Sequence, residues 1–142
     1  MKPVEIEFQV VMSDNIKQGF LNVFDFDRMP FQPTRAFTIT SVSSNSSRGH
    51  HAHKSCRQLI ACIAGEIKLI CTFGIEYEKK VFILNPTSPA VLIEPWVWAE
   101  QIYTTNETSS IVFCSDKYYE SDYIRDYDEY KRLIRLNKFI HD

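Results

Sequence analysis

The chain has 142 residues, 44% of them hydrophobic and 24% charged, enough for one domain with its own hydrophobic core. Sixteen Lys and Arg against eighteen Asp and Glu leave a formal charge of −2, dispersed along the chain, which excludes the electrostatic footprint of a nucleic-acid binder. No apolar run approaches the roughly 20 residues needed to span a bilayer, so the sequence reads as a soluble, cytoplasmic protein.

In chain order, residues 4–11 alternate apolar and polar side chains behind Met1-Lys2-Pro3, the pattern of a strand and not of a signal peptide. Further β-type runs follow at 20–24, 36–42, 58–63, 66–72, 80–84, 90–94 and 110–115. Turn residues separate them: Asn45-Ser46-Ser47, Ala64-Gly65-Glu66, Phe73-Gly74, Asn85-Pro86-Thr87-Ser88-Pro89 and Thr104-Thr105-Asn106-Glu107. Many short strands at this spacing predict an all-β sandwich, barrel or jelly roll. After Ser121 the period changes. Tyr123, Tyr127, Tyr130 and Ile134 follow helical spacing, with Ser121 or Asp122 placed to cap and Lys131, Arg132 and Arg135 toward the end, which predicts one helix over about 122–138. Its tyrosine stripe reads as a packing face. No repeat or linker divides residues 1–142.

Cys56, Cys62, Cys71 and Cys114 form neither a Cys-x-x-Cys pair nor a dense disulfide framework, and three of them sit among apolar neighbours. They read as reduced, mostly buried thiols, with Cys56 in a packing role although it lies close to the histidines.

Residues 48–54, Arg-Gly-His-His-Ala-His-Lys, hold three of the four histidines of the chain. In an extended segment His51 and His53 share a face while Ala52 turns away and His50 faces opposite. A metal site needs three or four convergent ligands. In metal-binding cupins, which are jelly rolls, a His-x-His pair is followed by a Glu and a later His. Here Gln58 stands at the Glu position, and the later segment Glu94-Pro95-Trp96-Val97-Trp98-Ala99-Glu100-Gln101 has no histidine. Proton transfer by His51 and His53, with no metal and no cofactor, is the expected chemistry. Arg35, Arg48, Lys54 and Arg57 lie near the pair in sequence, as an anionic ligand would require.

The run Arg48-Gly49-His50-His51-Ala52-His53-Lys54, the segment Pro95-Trp96-Val97-Trp98 and the ending from Tyr118 to Tyr127 together resemble the nucleotide-sugar 3,4-ketoisomerases. These are small WxcM-like cupins related to the rhamnose-pathway epimerase. Pro30-Phe31 and Arg35 extend the resemblance over nearly the whole chain. It implies a cupin-type antiparallel jelly roll with one C-terminal helix, and a homodimer with exchanged N-terminal strands. The implied reaction converts dTDP-4-keto-6-deoxyglucose to its 3-keto isomer, on the way to 3-amino-3,6-dideoxy sugars of surface glycans. His51 and His53 carry the proton transfers in this reading. Arg35, Arg48, Lys54, Gln58 and Trp98 bind substrate, Arg35 at the developing oxyanion and Arg48 and Lys54 at the pyrophosphate. Two positions depart from the family pattern: Ala99 replaces a residue that is often polar, and Phe37 stands where tyrosine is common. The alternatives are a metal-dependent, dioxygenase-like cupin and a non-catalytic sugar-nucleotide-binding module.

Overall fold

The computed structural model describes residues 2–8, 10–12 and 19–137. Its strands are β1 (Val4–Ile6), β2 (Val10–Met12), β3 (Phe20–Asn22), β4 (Arg35–Val42), β5 (Ser46–His53), β6 (Gln58–Ala64), β7 (Ile67–Phe73), β8 (Glu78–Leu84), β9 (Ala90–Ile93), β10 (Trp98–Tyr103), β11 (Thr108–Cys114) and β12 (Tyr123–Ile124), followed by helix α1 (Tyr127–Leu136). Every pairing is antiparallel. Strands β4 to β11 pair as one long hairpin, β4 with β11, β5 with β10, β6 with β9 and β7 with β8. Rolling that hairpin over itself yields two facing five-stranded sheets, β1-β9-β6-β11-β4 and β12-β5-β10-β7-β8. This is a jelly roll, in which alternation along each strand sends one set of side chains between the sheets.

That inner set is the main core, which includes Ile60, Ile67, Leu69, Leu84, Val91 and Val112. Strand β6 is buried on both faces. Ile60 and Cys62 point into the core, whereas Leu59 and Ala61 turn outward under Phe8, Phe24, Met29 and Phe31 from the N-terminal segment. A strand covered twice needs apolar residues at nearly every position, which is what its sequence supplies.

Helix α1 begins later than its period predicted. Asp126 caps it by accepting from the Glu129 N–H at 2.9 Å, while residues 120–122 form a 3-10 turn and Tyr123–Ile124 pair with β5. Asp122 is therefore no cap, and it is committed elsewhere. Tyr130 and Ile134 on the buried side of α1 pack on Ala52, Trp98 and Ile124, and the Tyr130 hydroxyl lies 2.7 Å from the Trp96 carbonyl. Strand β5 starts at Ser46, inside a predicted loop, because the turn needs only Ser44 and Asn45, the latter at φ 64°. The predicted strand over 4–11 is two pieces, of which β1 pairs with β9 of its own chain; residue 9 lies outside the described residues. No described helix is long and apolar enough to cross a membrane.

Candidate active site

Strand β5 is built to aim three side chains into the roll. Gly49 and His50 both adopt left-handed backbone, φ 87° and 56°, where the register against β10 slips between Ala99 and Glu100. A bulge of this kind inserts one extra residue into the strand. Arg48 and His51 would face opposite ways in a regular strand, yet both line one cavity of about 160 Å³ between the sheets. Glycine is required at 49: a Cβ there would meet the Ala99 carbonyl oxygen at 2.9 Å. His50 turns outward to Glu100 at 3.2 Å and Ser47 at 3.1 Å.

Past the bulge the strand is regular, so His53 follows His51 on the inner face, with ring centroids 5.0 Å apart and planes at 88°. The Nδ1 of His53 donates to Oδ2 of Asp122 at 2.7 Å. Asp122 is itself clamped, Oδ1 accepting from the backbone N–H of Lys54 at 3.1 Å and of Ser55 at 2.6 Å. A carboxylate can only accept, so the proton stays on Nδ1 and the buried Nε2, which has no partner, presents a lone pair. Burial lowers the pKa of His53, and Asp122 opposes that shift. His51 is lowered further, to about 4, by burial and then by the neighbouring His53. Both imidazoles are neutral near pH 7.

Tyr123 completes the enclosure. Its ring stacks on His51 at 5.0 Å and 27°, and meets His53 edge-on at 4.4 Å. The Arg125 guanidinium covers its other face at 4.1 Å, fixed by two hydrogen bonds to Glu120 at 2.8 and 3.0 Å. Arg35 on β4 enters from the opposite sheet, stacked near Phe37 and Tyr118 and close to Tyr123. Its buried Nε has no partner. A guanidinium with an open donor beside two neutral bases suits a substrate on which negative charge develops.

The predicted residues divide clearly. Arg48 and Gln58 line the cavity with His51, and the Gln58 side chain also reaches Cys114 Sγ at 3.6 Å. Lys54 is not brought to the cavity: one residue past His53 it faces outward, beside Glu129 and Asp126 on the helix side. Trp98, 4% exposed, is core packing beneath Tyr127 and Tyr130. Arg57 is engaged by Glu94 and the Pro30 carbonyl. Asp122 and Tyr123 are the residues that sequence reading assigned to a helix. Nothing local distinguishes them, since their partners lie on a strand far back along the chain.

Fold and paired imidazoles together define a cupin-type jelly roll that holds two neutral histidines side by side. The chain belongs to the family described as FdtA: WxcM-like, C-terminal, which it matches over residues 4–135. It is 33% identical over 108 residues, 75% of each chain, to the TDP-4-oxo-6-deoxy-alpha-D-glucose-3,4-oxoisomerase of Aneurinibacillus thermoaerophilus. The sugar 3,4-ketoisomerase QdtA of Thermoanaerobacterium thermosaccharolyticum, solved with TDP, is similar over 94% of this chain and 95% of its own, with 31% identity and a TM-score of 0.82. A His-to-Asn variant of QdtA, solved with TDP-4-keto-6-deoxyglucose, is similar over 95% of both chains, with 29% identity and a TM-score of 0.83.

Proposed function

We propose that this protein is a sugar-nucleotide 3,4-ketoisomerase that converts TDP-4-keto-6-deoxyglucose to the 3-keto isomer. The observation that carries this reading is the pair of neutral imidazoles, 5.0 Å apart on one face of the roll, with Asp122 anchoring one of them. The carbonyl at C4 acidifies the C3 hydrogen. His51 removes it, and the electron pair of the C–H bond forms the C3–C4 double bond of an enediolate as the C4 carbonyl becomes an oxyanion. Nε2 of His53 accepts the proton of the 3-hydroxyl and delivers it to the C4 oxygen. The deprotonated C3 oxygen then forms the new C3 carbonyl as the C3–C4 double bond takes a proton at C4 from the His51 imidazolium. Atoms and charge balance with both rings neutral at the start and the end, and no electron leaves the substrate.

Arg35, with its open Nε, stabilises the enediolate oxygen. Arg48, at the exposed end of the cavity lining, binds the diphosphate, for which a forked guanidinium is well matched. Gln58 donates to the sugar. Tyr123 holds the His51 ring in plane. Lys54 and Trp98 are given no substrate contact in this reading, since neither lines the cavity with His51.

The same reading includes a homodimer. Val4, Phe20, Leu21, Val23 and Phe26 remain 37% to 58% exposed in a single chain, the kind of apolar surface that a second copy covers. Light scattering tests this, and a monomer at micromolar concentration would count against it. The activity is tested by proton NMR of TDP-4-keto-6-deoxyglucose incubated with the enzyme in D2O. Conversion with deuterium entering at C4 is expected. Absence of both conversion and exchange would reduce the protein to a binding module.

A further inference from the structure

We propose that His53, Cys56 and Asp122 form a binding site for a thiophilic divalent cation, zinc foremost, and that filling it switches the histidine pair off. One ligand atom from each residue lies within 4.8 Å of the others. Around a tetrahedral zinc with bonds of about 2.0 to 2.3 Å, ligand atoms stand roughly 3.5 Å apart, so small side-chain rotations close this set. His53 ends β5, Cys56 follows in the short loop that leaves it, and Asp122 arrives from the 3-10 turn, where backbone N–H groups of that loop hold it. The cluster is prearranged by the fold.

Donor chemistry selects the cation. Nitrogen, sulfur and oxygen ligands together suit zinc or cobalt and reject the hard magnesium and calcium ions, which want oxygen alone. His53 is 4% exposed, with Nδ1 2.7 Å from the Asp122 carboxylate; Cys56 is 2% exposed. On binding, the Cys56 S–H bond breaks and its proton leaves to solvent as the metal–sulfur bond forms, so thiolate and carboxylate together neutralise the dication. The Arg35 guanidinium nearby disfavours any cation held by charge alone. Coordination through Nδ1, the ring nitrogen that faces Asp122, moves the ring proton to Nε2, so the lone pair that the isomerisation needs is lost together with the Asp122 anchor. The predicted inhibition, though not the site itself, rests on the ketoisomerase reading.

Cobalt titration of the chelator-treated enzyme tests the site independently of activity. One cobalt per chain with a near-ultraviolet sulfur-to-cobalt charge-transfer band is expected. Cys56→Ser should abolish the band while leaving isomerase activity intact and relieving zinc inhibition. Asp122→Asn, which keeps the thiol, should retain a sulfur band but weaken cobalt binding about 10-fold or more. Cobalt bound without a sulfur band, or an unchanged band in Cys56→Ser, would overturn the site. Zinc inhibition equal in wild type and Cys56→Ser, with the band present, would overturn only the switch.

Discussion

The carboxylate of Asp122 holds Nδ1 of His53 at 2.7 Å across 69 positions of chain. That contact sets the tautomer of the ring, and so leaves the lone pair on the buried Nε2. Asp122→Asn retains the backbone contacts but can donate as well as accept, so Nδ1 is no longer held protonated. We expect turnover to fall by about 10²-fold, the lower range for a lost acid–base contribution, with TDP affinity unchanged. Equal activity in the variant would show that the contact is structural only.

His51→Asn removes the titratable ring and keeps a polar side chain of similar reach. Turnover should drop by ~10²-fold or more, and washout of deuterium from C3-labelled substrate should cease while TDP still binds. Normal washout in this variant, with loss in His53→Asn, would reverse the roles of the two rings.

Arg48 addresses a group whose charge is constant through the reaction. Arg48→Ala should therefore raise KM and the Kd for TDP by similar factors with little change in kcat, the signature of uniform binding. A large loss of kcat at unchanged TDP affinity would place Arg48 at the reacting carbons instead.

Burial lowers both imidazoles, His51 from 6.5 to about 4. The unfolded chain takes up these protons near 6.5, whereas the folded protein resists until lower pH. Between these values the unfolded state binds more protons, so stability should fall as pH falls through that window and stay flat above it. Urea midpoints measured on both sides of pH 6.5 check this, and His51→Asn should show the shallower slope. By the same reasoning kcat/KM should hold as pH drops past the ordinary histidine value, its acid limb lying well below. An acid limb centred at 6.5 would contradict the buried, neutral pair.

Gly49→Ala adds a Cβ at φ 87°, 2.9 Å from the Ala99 carbonyl oxygen. Backbone cannot yield cheaply there, so a loss of about 1–3 kcal/mol in stability is expected, together with reduced turnover as the bulge that aims His51 shifts. Thermal unfolding and kcat measured on the same preparation test both. Unchanged values would mean that the bulge relaxes without cost.

The sequence alone determined what depends on neighbours along the chain. Alternation of period two marked most strands and put His51 and His53 on one face, because side-chain direction in a strand is set locally. Tertiary structure decided what depends on closure of the roll. The bulge that turns Arg48 toward the same cavity as His51 exists because β5 pairs with β10, and its register slip is invisible in either strand by itself. Asp122 and Tyr123 fit a helical period, yet the C-terminal segment spends them on β5, where a carboxylate anchors one imidazole and an aromatic ring packs on both. Lys54 and Trp98 sit close to the histidine pair in sequence or motif, but the pleat and the docking of α1 carry them to the other side of the sheet. Local pattern assigns a face; only long-range packing assigns that face its partners.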